Sequence, residues 1–260
     1  MDVARRQEAA DRLLAAYASR EPIDPLVQTY PDIAVEDSYD IQLRQIQARL
    51  DAGAVVRGHK VGLTSAAMQR QLGVDQPDFG HLLDDMMLGE HLPIDTSQYL
   101  QPRVEPEVAF VLGAPLQGPG VTVAEALAAV DFVLPALELI DSRVRDWKIG
   151  LLDTIADNAS SGGVILGSSP MPVDALDLRL MGATLHRNGI LMGTGAGGAV
   201  MGHPITSLVW LANTVGPLGT TLEAGHVVLP GSITSMIPVA AGDTVTATFA
   251  GLGSVTARFV

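Results

Sequence analysis

Three carboxylates set the chemistry this chain could perform. Val104-Glu105-Pro106-Glu107-Val108-Ala109-Phe110-Val111-Leu112 reads as a strand. Alternation puts Glu105, Glu107 and Ala109 on one face and Val104, Val108 and Phe110 on the other. Two carboxylates two residues apart then point the same way. Like charges that close repel unless a cation sits between them or one is protonated. The plain alternative is a solvated acidic face on an edge strand, and Pro106 suggests that the strand starts at a sheet edge. Glu138 is a lone acid in Val133-Leu134-Pro135-Ala136-Leu137-Glu138-Leu139-Ile140-Asp141. A buried ionised carboxylate is costly unless it is paired or binds a metal. Its alternative is an ion pair with Arg103 or Arg143. Together, three acids on two strands suggest an oxygen-ligand site suited to a hard cation such as Mg²⁺ or Mn²⁺.

Two further groups belong beside them. Lys60 lies in Gly58-His59-Lys60-Val61-Gly62-Leu63-Thr64, and Lys148 is the only other lysine. A semi-buried lysine beside carboxylates could hold an anionic substrate or exchange protons; a structural ion pair is the alternative. Asp78 lies in Gly73-Val74-Asp75-Gln76-Pro77-Asp78-Phe79-Gly80, which its Pro and Gly mark as a loop. It is a general acid/base or an Asx-turn acid, and spacing alone favours the turn. Other motifs fail. Gly193, Gly195 and Gly198 match G-x-G-x-x-G, but Pro204 and the late acid Glu223 argue for turns packed closely in the core. There is no P-loop and no nucleophile elbow. The six histidines show no H-x-x-x-H pair and read as surface or structural residues.

The elements that must position these groups follow from patterning. Residues 3–19 read as an amphipathic helix with Ala10, Leu13, Leu14 and Tyr17 on its apolar stripe. A second helix is expected over 35–50, striped by Val35, Tyr39, Leu43, Ile46 and Leu50 and stopped by Gly53. Thr122 and Glu125 have capping-box spacing. Residues 132–140 read as a buried strand, and 206–215 as a helix with Pro204 in its first turn. Residues 227–229, 245–249 and 255–260 read as strands, the last two forming a hairpin around Gly251-Leu252-Gly253. The expected organisation is a single domain over 1–260, with a helical N-terminal layer (1–53) and a β-rich core (54–260).

Composition narrows the function classes. The chain has 260 residues and no cysteine, which removes disulfides, thiolate metal sites and a cysteine nucleophile. Its formal net charge of −13 repels phosphate backbones and anionic membranes, so neither nucleic acid nor membrane is an expected partner. The N-terminus shows no apolar signal region, and a cytoplasmic enzyme fits. The uncharged run from Asn188 to Leu222 is long enough to span a bilayer, but eight glycines and two prolines interrupt it.

Several blocks together resemble the 2-keto-4-pentenoate hydratase family of the fumarylacetoacetate hydrolase superfamily. They are 60–64, 71–80, 101–107, 134–138, Asp146-Trp147-Lys148-Ile149, Ala156-Asp157-Asn158-Ala159-Ser160 and Gly202-His203-Pro204. The likeness covers nearly the whole chain and is weakest in the first fifty residues. It implies an α+β fold with a mixed β-roll core wrapped by helices, and a homo-oligomer. It implies Mg²⁺ or Mn²⁺ held by Glu105, Glu107 and Glu138. Lys60 matches the active-site lysine and Asp78 lies in the active-site loop, while Leu63 and Ser160 match substrate-contacting positions. The implied reaction is that of a hydro-lyase, hydrating the small molecule 2-hydroxypenta-2,4-dienoate to 4-hydroxy-2-oxopentanoate during aromatic or steroid ring breakdown. A methyl-extended hexadienoate is equally compatible. The closest competitor is a 4-oxalocrotonate decarboxylase. A non-catalytic dicarboxylate-binding protein would be expected to lose the acids or Lys60, and all are present.

Overall fold

Capping chemistry sets where the helices of this chain begin. The computed structural model describes residues 1–66, 69–70 and 74–260. Its helices include α1 (Val3–Ser19), α2 (Leu26–Thr29), α3 (Val35–Asp51), α4 (Val123–Ala129), α5 (Leu151–Ala156) and α6 (Pro204–Val215). Asp2 caps α1 by accepting the Arg5 backbone N–H at 2.8 Å. Thr122 and Glu125 form the expected reciprocal box at α4. His203 caps α6, with Pro204 as its first residue.

The two N-terminal helices form where the pattern predicts, but the second buries a different face. In α1, Ala10 and Leu13 are buried as expected, and Leu14 and Tyr17 only half so. In α3, Leu43 is 39% exposed, while Gln42 and Gln45 are buried. The reason lies in what the helix covers. The Gln42 side-chain amide donates to the carbonyls of Phe79 and Ile155, and that of Gln45 to Ala156. Buried carbonyls require donors, so polar residues occupy the inner face. Leu13 of α1, Leu26 of α2, Ile41 of α3 and Ala156 of α5 share a separate small core.

The strands are β1 (Val56–Gly62), β2 (Asp78–Leu83), β3 (Met87–Leu88), β4 (Arg103–Leu112), β5 (Val130–Ile140), β6 (Ser161–Leu166), β7 (Gly182–Arg187), β8 (Ile190–Ala196), β9 (Val227–Leu229), β10 (Ile237–Pro238), β11 (Thr244–Phe249) and β12 (Gly253–Arg258). Among the described residues they form a mixed sheet, ordered β2-β1-β9-β4-β5-β6-β3 with β10 also on β4, and a second sheet ordered β12-β11-β7-β8. The β1–β9 and β3–β6 pairs are parallel and the others antiparallel. This is an α+β fold. The main core includes Val104, Val108, Phe110 and Leu137 of the first sheet and Leu185, Val245, Ala247 and Val255 of the second. The opposite face of the first sheet carries a smaller apolar floor that includes Ala109, Leu134, Ala136, Val164 and Leu229.

Three expectations are corrected here. β4 does not start at an edge, because β5 pairs along one side of it and β10 meets its first two residues on the other. Instead, its other neighbour is interrupted: β10 meets Arg103–Val104 and β9 meets Phe110–Val111. The Pro106 carbonyl faces this gap, accepting the Ile233 N–H at 3.1 Å. N–H and C=O of one strand residue point to the same side, so the missing proline donor costs the β4–β5 ladder nothing. Next, Asp78, Phe79 and Gly80 are not loop residues but open β2. Gln71, Leu72 and Gly73 of the same expected block lie outside the described residues. Finally, Gly193 and Gly195 lie in strand β8 rather than in turns. Gly195 packs closely nonetheless: a Cβ there would meet the Ile233 carbonyl at 2.1 Å.

Candidate metal centre and active site

The register of β4 against β5 assembles the three acids. Glu105 stands directly opposite Glu138, and Glu107 opposite Ala136. Opposed residues of an antiparallel pair share a face, so all three carboxylates project from the side that carries the apolar floor. One oxygen from each can be chosen so that the three lie within 4.8 Å of one another. Glu107 and Glu138 are fully buried and Glu105 is half-buried. The acids thus continue the Ala109–Leu134–Ala136 floor as its polar end.

β1 and β2 bring the remaining charges to the same face. Lys60 pairs with Leu229 of β9, itself a floor residue. Its ammonium lies 3.4 Å from Glu138 Oε1 and donates to the Ala159 carbonyl at 3.0 Å. Asp78 is buried, and its Oδ2 accepts the Thr154 hydroxyl at 3.2 Å. A Cβ on Gly62 would meet Asp78 Oδ1 at 2.2 Å, so the close approach of β1 to Asp78 requires glycine there. Glu107 Oε2 accepts the Gly231 N–H at 2.7 Å. Gly231 has φ +124°, and a Cβ there would strike Thr64 Oγ1 at 2.0 Å, so only glycine presents that amide.

The alternative pairing of Glu138 with Arg103 or Arg143 is not adopted. Arg143 is wholly buried and bound to Asp157, and its guanidinium lies 4.2 Å over the Tyr17 ring. Arg103 lies over Trp147. The Arg143 pair has a positioning role. It anchors Asp157, after which Asn158, Ala159 and Ser160 all take left-handed backbone at φ 51°, 49° and 53°. Each such residue costs about 1–2 kcal/mol outside glycine. The run persists because it is held on several sides. The Asn158 side chain accepts the His81 N–H at 2.8 Å and donates to the His81 carbonyl at 2.9 Å. This turn delivers the Ala159 carbonyl to Lys60. Ser160 is buried beside it, with its hydroxyl directed to Asp157 at 3.4 Å. Leu63, half-buried, directly follows β1 with φ 55°.

Electrostatics make the cluster demand a cation. Burial first, then repulsion from Glu138, pushes the Glu105 carboxyl up to about 8. Glu107 is raised well above its ordinary value for the same two reasons. Glu138 is raised by burial, against which Lys60 works. Burial opposes the charge on Lys60, but Glu138, Asp78, Glu105 and Glu107 outweigh it and raise its pKa. Burial also raises Asp78, with Lys60 offsetting part of the rise. One ammonium therefore faces four buried or half-buried acids. Both oxygens of Glu138, Oε1 of Glu107 and Oδ1 of Asp78 are buried without a hydrogen-bond partner. The unpartnered oxygens of Glu107 and Glu138, gathered with Glu105, fit a hard divalent cation.

Sequence reasoning found the charged groups and missed their neutral partners: Thr154, Ala159, Asn158 and Gly231. Backbone carbonyls and amides leave no residue-type signal, although Gly231 after a short apolar strand was a visible hint.

Comparison with known proteins places the chain in a family. The fumarylacetoacetate (FAA) hydrolase C-terminal family model matches residues 57–260. The chain belongs to this family. A 2-keto-4-pentenoate hydratase of Paraburkholderia xenovorans (strain LB400) is 48% identical over 255 residues, covering 98% of this chain and 95% of its own. A 4-oxalocrotonate decarboxylase of Pseudomonas sp. (strain CF600) is 43% identical, covering 92% and 90%. The solved 4-oxalocrotonate decarboxylase of Pseudomonas putida G7, complexed with magnesium and adipate, superposes with a TM-score of 0.95 at 36% identity, covering 100% of this chain and 99% of its own. No helix among the described residues is long and apolar enough to cross a membrane.

Proposed function

We propose that this FAA-hydrolase family member hydrates 2-hydroxypenta-2,4-dienoate to 4-hydroxy-2-oxopentanoate in aromatic or steroid ring catabolism. The observation that carries metal-dependent enol chemistry is the Glu105–Glu107–Glu138 cluster, sharing a buried face with Lys60 and Asp78. The choice of hydration rests on 48% full-length identity to a hydratase. Mg²⁺ or Mn²⁺ is the cation we assign, held by the three glutamates; the magnesium complex of the related decarboxylase supports a divalent ion. Such a cation supplies Lewis-acid stabilisation of negative charge on the 2-oxygen of a 2-oxo acid.

The chain's own groups do the rest. Lys60 keeps its charge at neutral pH, since its pKa is raised. It therefore acts as a fixed cationic donor that holds the anionic end of the substrate, steadied by the Ala159 carbonyl. Asp78, with its pKa raised by burial, is the group suited to accept and return a proton. Protonation at C5 of the dienol gives an α,β-unsaturated ketone. Water then adds at C4, and C3 takes up a proton. Ser160 and Leu63 flank the substrate in this reading. A homo-oligomer is the assembly we favour, supported by exposed Leu180, Ile190 and Leu191 in an otherwise acidic chain. Breakdown of small diffusible acids suits a cytoplasmic location.

Decarboxylation of 4-oxalocrotonate is the second reading, favoured by the TM-score of 0.95 to a decarboxylase of the same length. Freshly generated 2-hydroxypenta-2,4-dienoate with Mg²⁺ or Mn²⁺ separates the two, alongside 4-oxalocrotonate assayed for CO₂. Metal-dependent loss of dienol absorbance, with a product heavier by one water, is the expected result. CO₂ release without hydration would move the assignment to the decarboxylase.

A further inference from the structure

Three histidines gather on the reverse face of the first sheet, behind Lys60. His59 stands directly opposite His81 in the β1–β2 ladder, with their rings 4.9 Å apart. His226 comes two residues before Val228, the β9 partner of His59, and so falls on the same face. Its ring lies 5.8 Å from that of His59. Gly58 permits this approach, since a Cβ there would strike the Val227 carbonyl at 1.8 Å. Val61, Phe79 and Val228 on this face belong to the main core, which apolar side chains at 59 and 81 would simply extend.

The ring nitrogens set the cluster apart. His59 is 1% exposed and His81 5%. Both ring nitrogens of His59 and Nδ1 of His81 are buried without a hydrogen-bond partner. A neutral imidazole carries one N–H and one lone pair, so in His59 both go unmet whichever tautomer it takes. Buried polar atoms are rarely left so, and a bound ion or water is the usual reason. Burial lowers His81 to about 4 and holds His59 and His226 below the ordinary value, so all three rings are neutral at pH 7. Neutral imidazole is the form that ligates metal. His226 is half-buried and forms the entrance from solvent. Its Nδ1 accepts the Glu223 N–H at 3.1 Å, which leaves Nε2 for an ion. Glu223 and Arg57 act on this ring with opposite sign, the carboxylate favouring a cation there and the guanidinium opposing it. Among the described residues only the three glutamates already gather ligand atoms within 4.8 Å, so a cation must draw His226 inward over the buried pair.

We propose that His59, His81 and His226 form a second metal site, on the opposite side of the sheet from the glutamates, for a borderline transition cation of the Zn²⁺ class. Imidazole ligands suit Zn²⁺, Ni²⁺ and Cu²⁺, whereas Mg²⁺ and Mn²⁺ suit oxygen. Such an ion would tie β2, β1 and β9 together. Those strands carry Asp78 and Lys60 and lead into Gly231, so the ion would brace the active site from behind. The inference does not depend on what the glutamates bind.

The test titrates Zn²⁺ by calorimetry into Glu107→Gln, in which the glutamate cluster has lost one acid. One equivalent is expected to bind and to raise Tm. Adding His226→Ala should weaken that binding at least about ten-fold, the smallest loss typical when a metal ligand loses even its supporting partner. Adding His81→Leu, which refills the space with an apolar side chain, should abolish it. Either histidine substitution, made alone in the wild type, should leave Mn²⁺ affinity unchanged, which reports that the sheet is intact. His226 is half-exposed, so its variant keeps the test valid if His81→Leu does not fold. Absence of Zn²⁺ binding in Glu107→Gln would overturn the inference and leave the cluster to trapped water. Zn²⁺ binding that neither histidine substitution weakens would overturn it too.

Discussion

At the scale of single residues, the two non-ligand charges of the site separate by what burial does to each. Lys60 is raised by its acidic neighbours and stays an ammonium; Asp78 is raised by desolvation, with Lys60 offsetting part of the rise, and so holds a proton more readily than an exposed aspartate. Their substitutions should therefore differ in kind. Asp78→Asn keeps the shape and the Thr154 contact. It should lower kcat about 10²–10⁴-fold, the range for losing a general acid/base, with KM and Mn²⁺ affinity little changed. Lys60→Met removes the ammonium that faces the acids. It should lower kcat sharply, raise KM and leave Mn²⁺ binding equal or tighter, since the metal then has one fewer competing charge. Steady-state kinetics with Mn²⁺ calorimetry checks both. If Asp78→Asn retains wild-type kcat, the proton-transfer role is lost.

At the scale of elements, the site is built where strand alternation, strand register, a left-handed turn and a polar helix face meet, and only the alternation was legible in the sequence. Period-2 alternation put Glu105 and Glu107 on one face, and a lone acid in an apolar run flagged Glu138. No pattern could reveal that Glu138 sits opposite Glu105, since register emerges only when the strands pair. α3 misled for a related reason: its stripe was sought among apolar residues, yet Gln42 and Gln45 face inward to satisfy the carbonyls of β2 and α5. The Asn158–Ser160 segment was legible only as part of the family resemblance, and nothing in it signalled a left-handed turn. Its importance can be measured. Asn158→Leu strips partners from two buried backbone groups of His81, at about 1–3 kcal/mol each. The expected loss is roughly 2–5 kcal/mol in denaturant unfolding, together with reduced kcat as the Ala159 carbonyl leaves Lys60. A loss under about 1 kcal/mol would refute the claim that Asn158 holds the turn. The reverse face of β1 and β2 offers a pH test. His59 and His81 pair across the strands with rings 4.9 Å apart. Burial depresses His59 well below its ordinary value and His81 to about 4. A histidine depressed on folding contributes stability that is complete above the unfolded pKa of about 6.5 and is lost as pH falls below it. The raised acids of the cluster act in the opposite direction, so the useful quantity is the difference between wild type and His59→Leu. That difference should shift against the wild type by about 1.4 kcal/mol per pH unit below 6.5. A pH-independent difference would mean that His59 is protonated in the fold.

At the scale of the whole molecule, the chain places its apolar cores on both sides of one sheet and leaves an acidic pocket unneutralised at the edge of the smaller core. The N-terminal helices serve that pocket, because Tyr17 packs on Arg143 and Arg143 holds the segment leading to Ala159. A fold organised this way is strained by its own carboxylates until a cation enters. Divalent metal should therefore be a folding ligand as well as a catalytic one. At a hundredfold excess over Kd, binding to the native state alone adds about 2.7 kcal/mol. For a chain of this size that is roughly 5–10 °C in Tm. The variant Glu107→Gln sharpens the prediction because it should reverse the order of stability. Its amide oxygen still accepts the Gly231 N–H, while one buried like charge is gone. The metal-free variant should melt at or above the metal-free wild type, yet gain almost nothing from Mn²⁺ and show no turnover. Scanning calorimetry of both proteins, with and without Mn²⁺ and with NaCl matched in ionic strength, reads this directly. An equal Mn²⁺ shift in both proteins, or the same shift from NaCl, would assign the stabilisation to general charge screening. The three glutamates would then have to be explained without a bound ion.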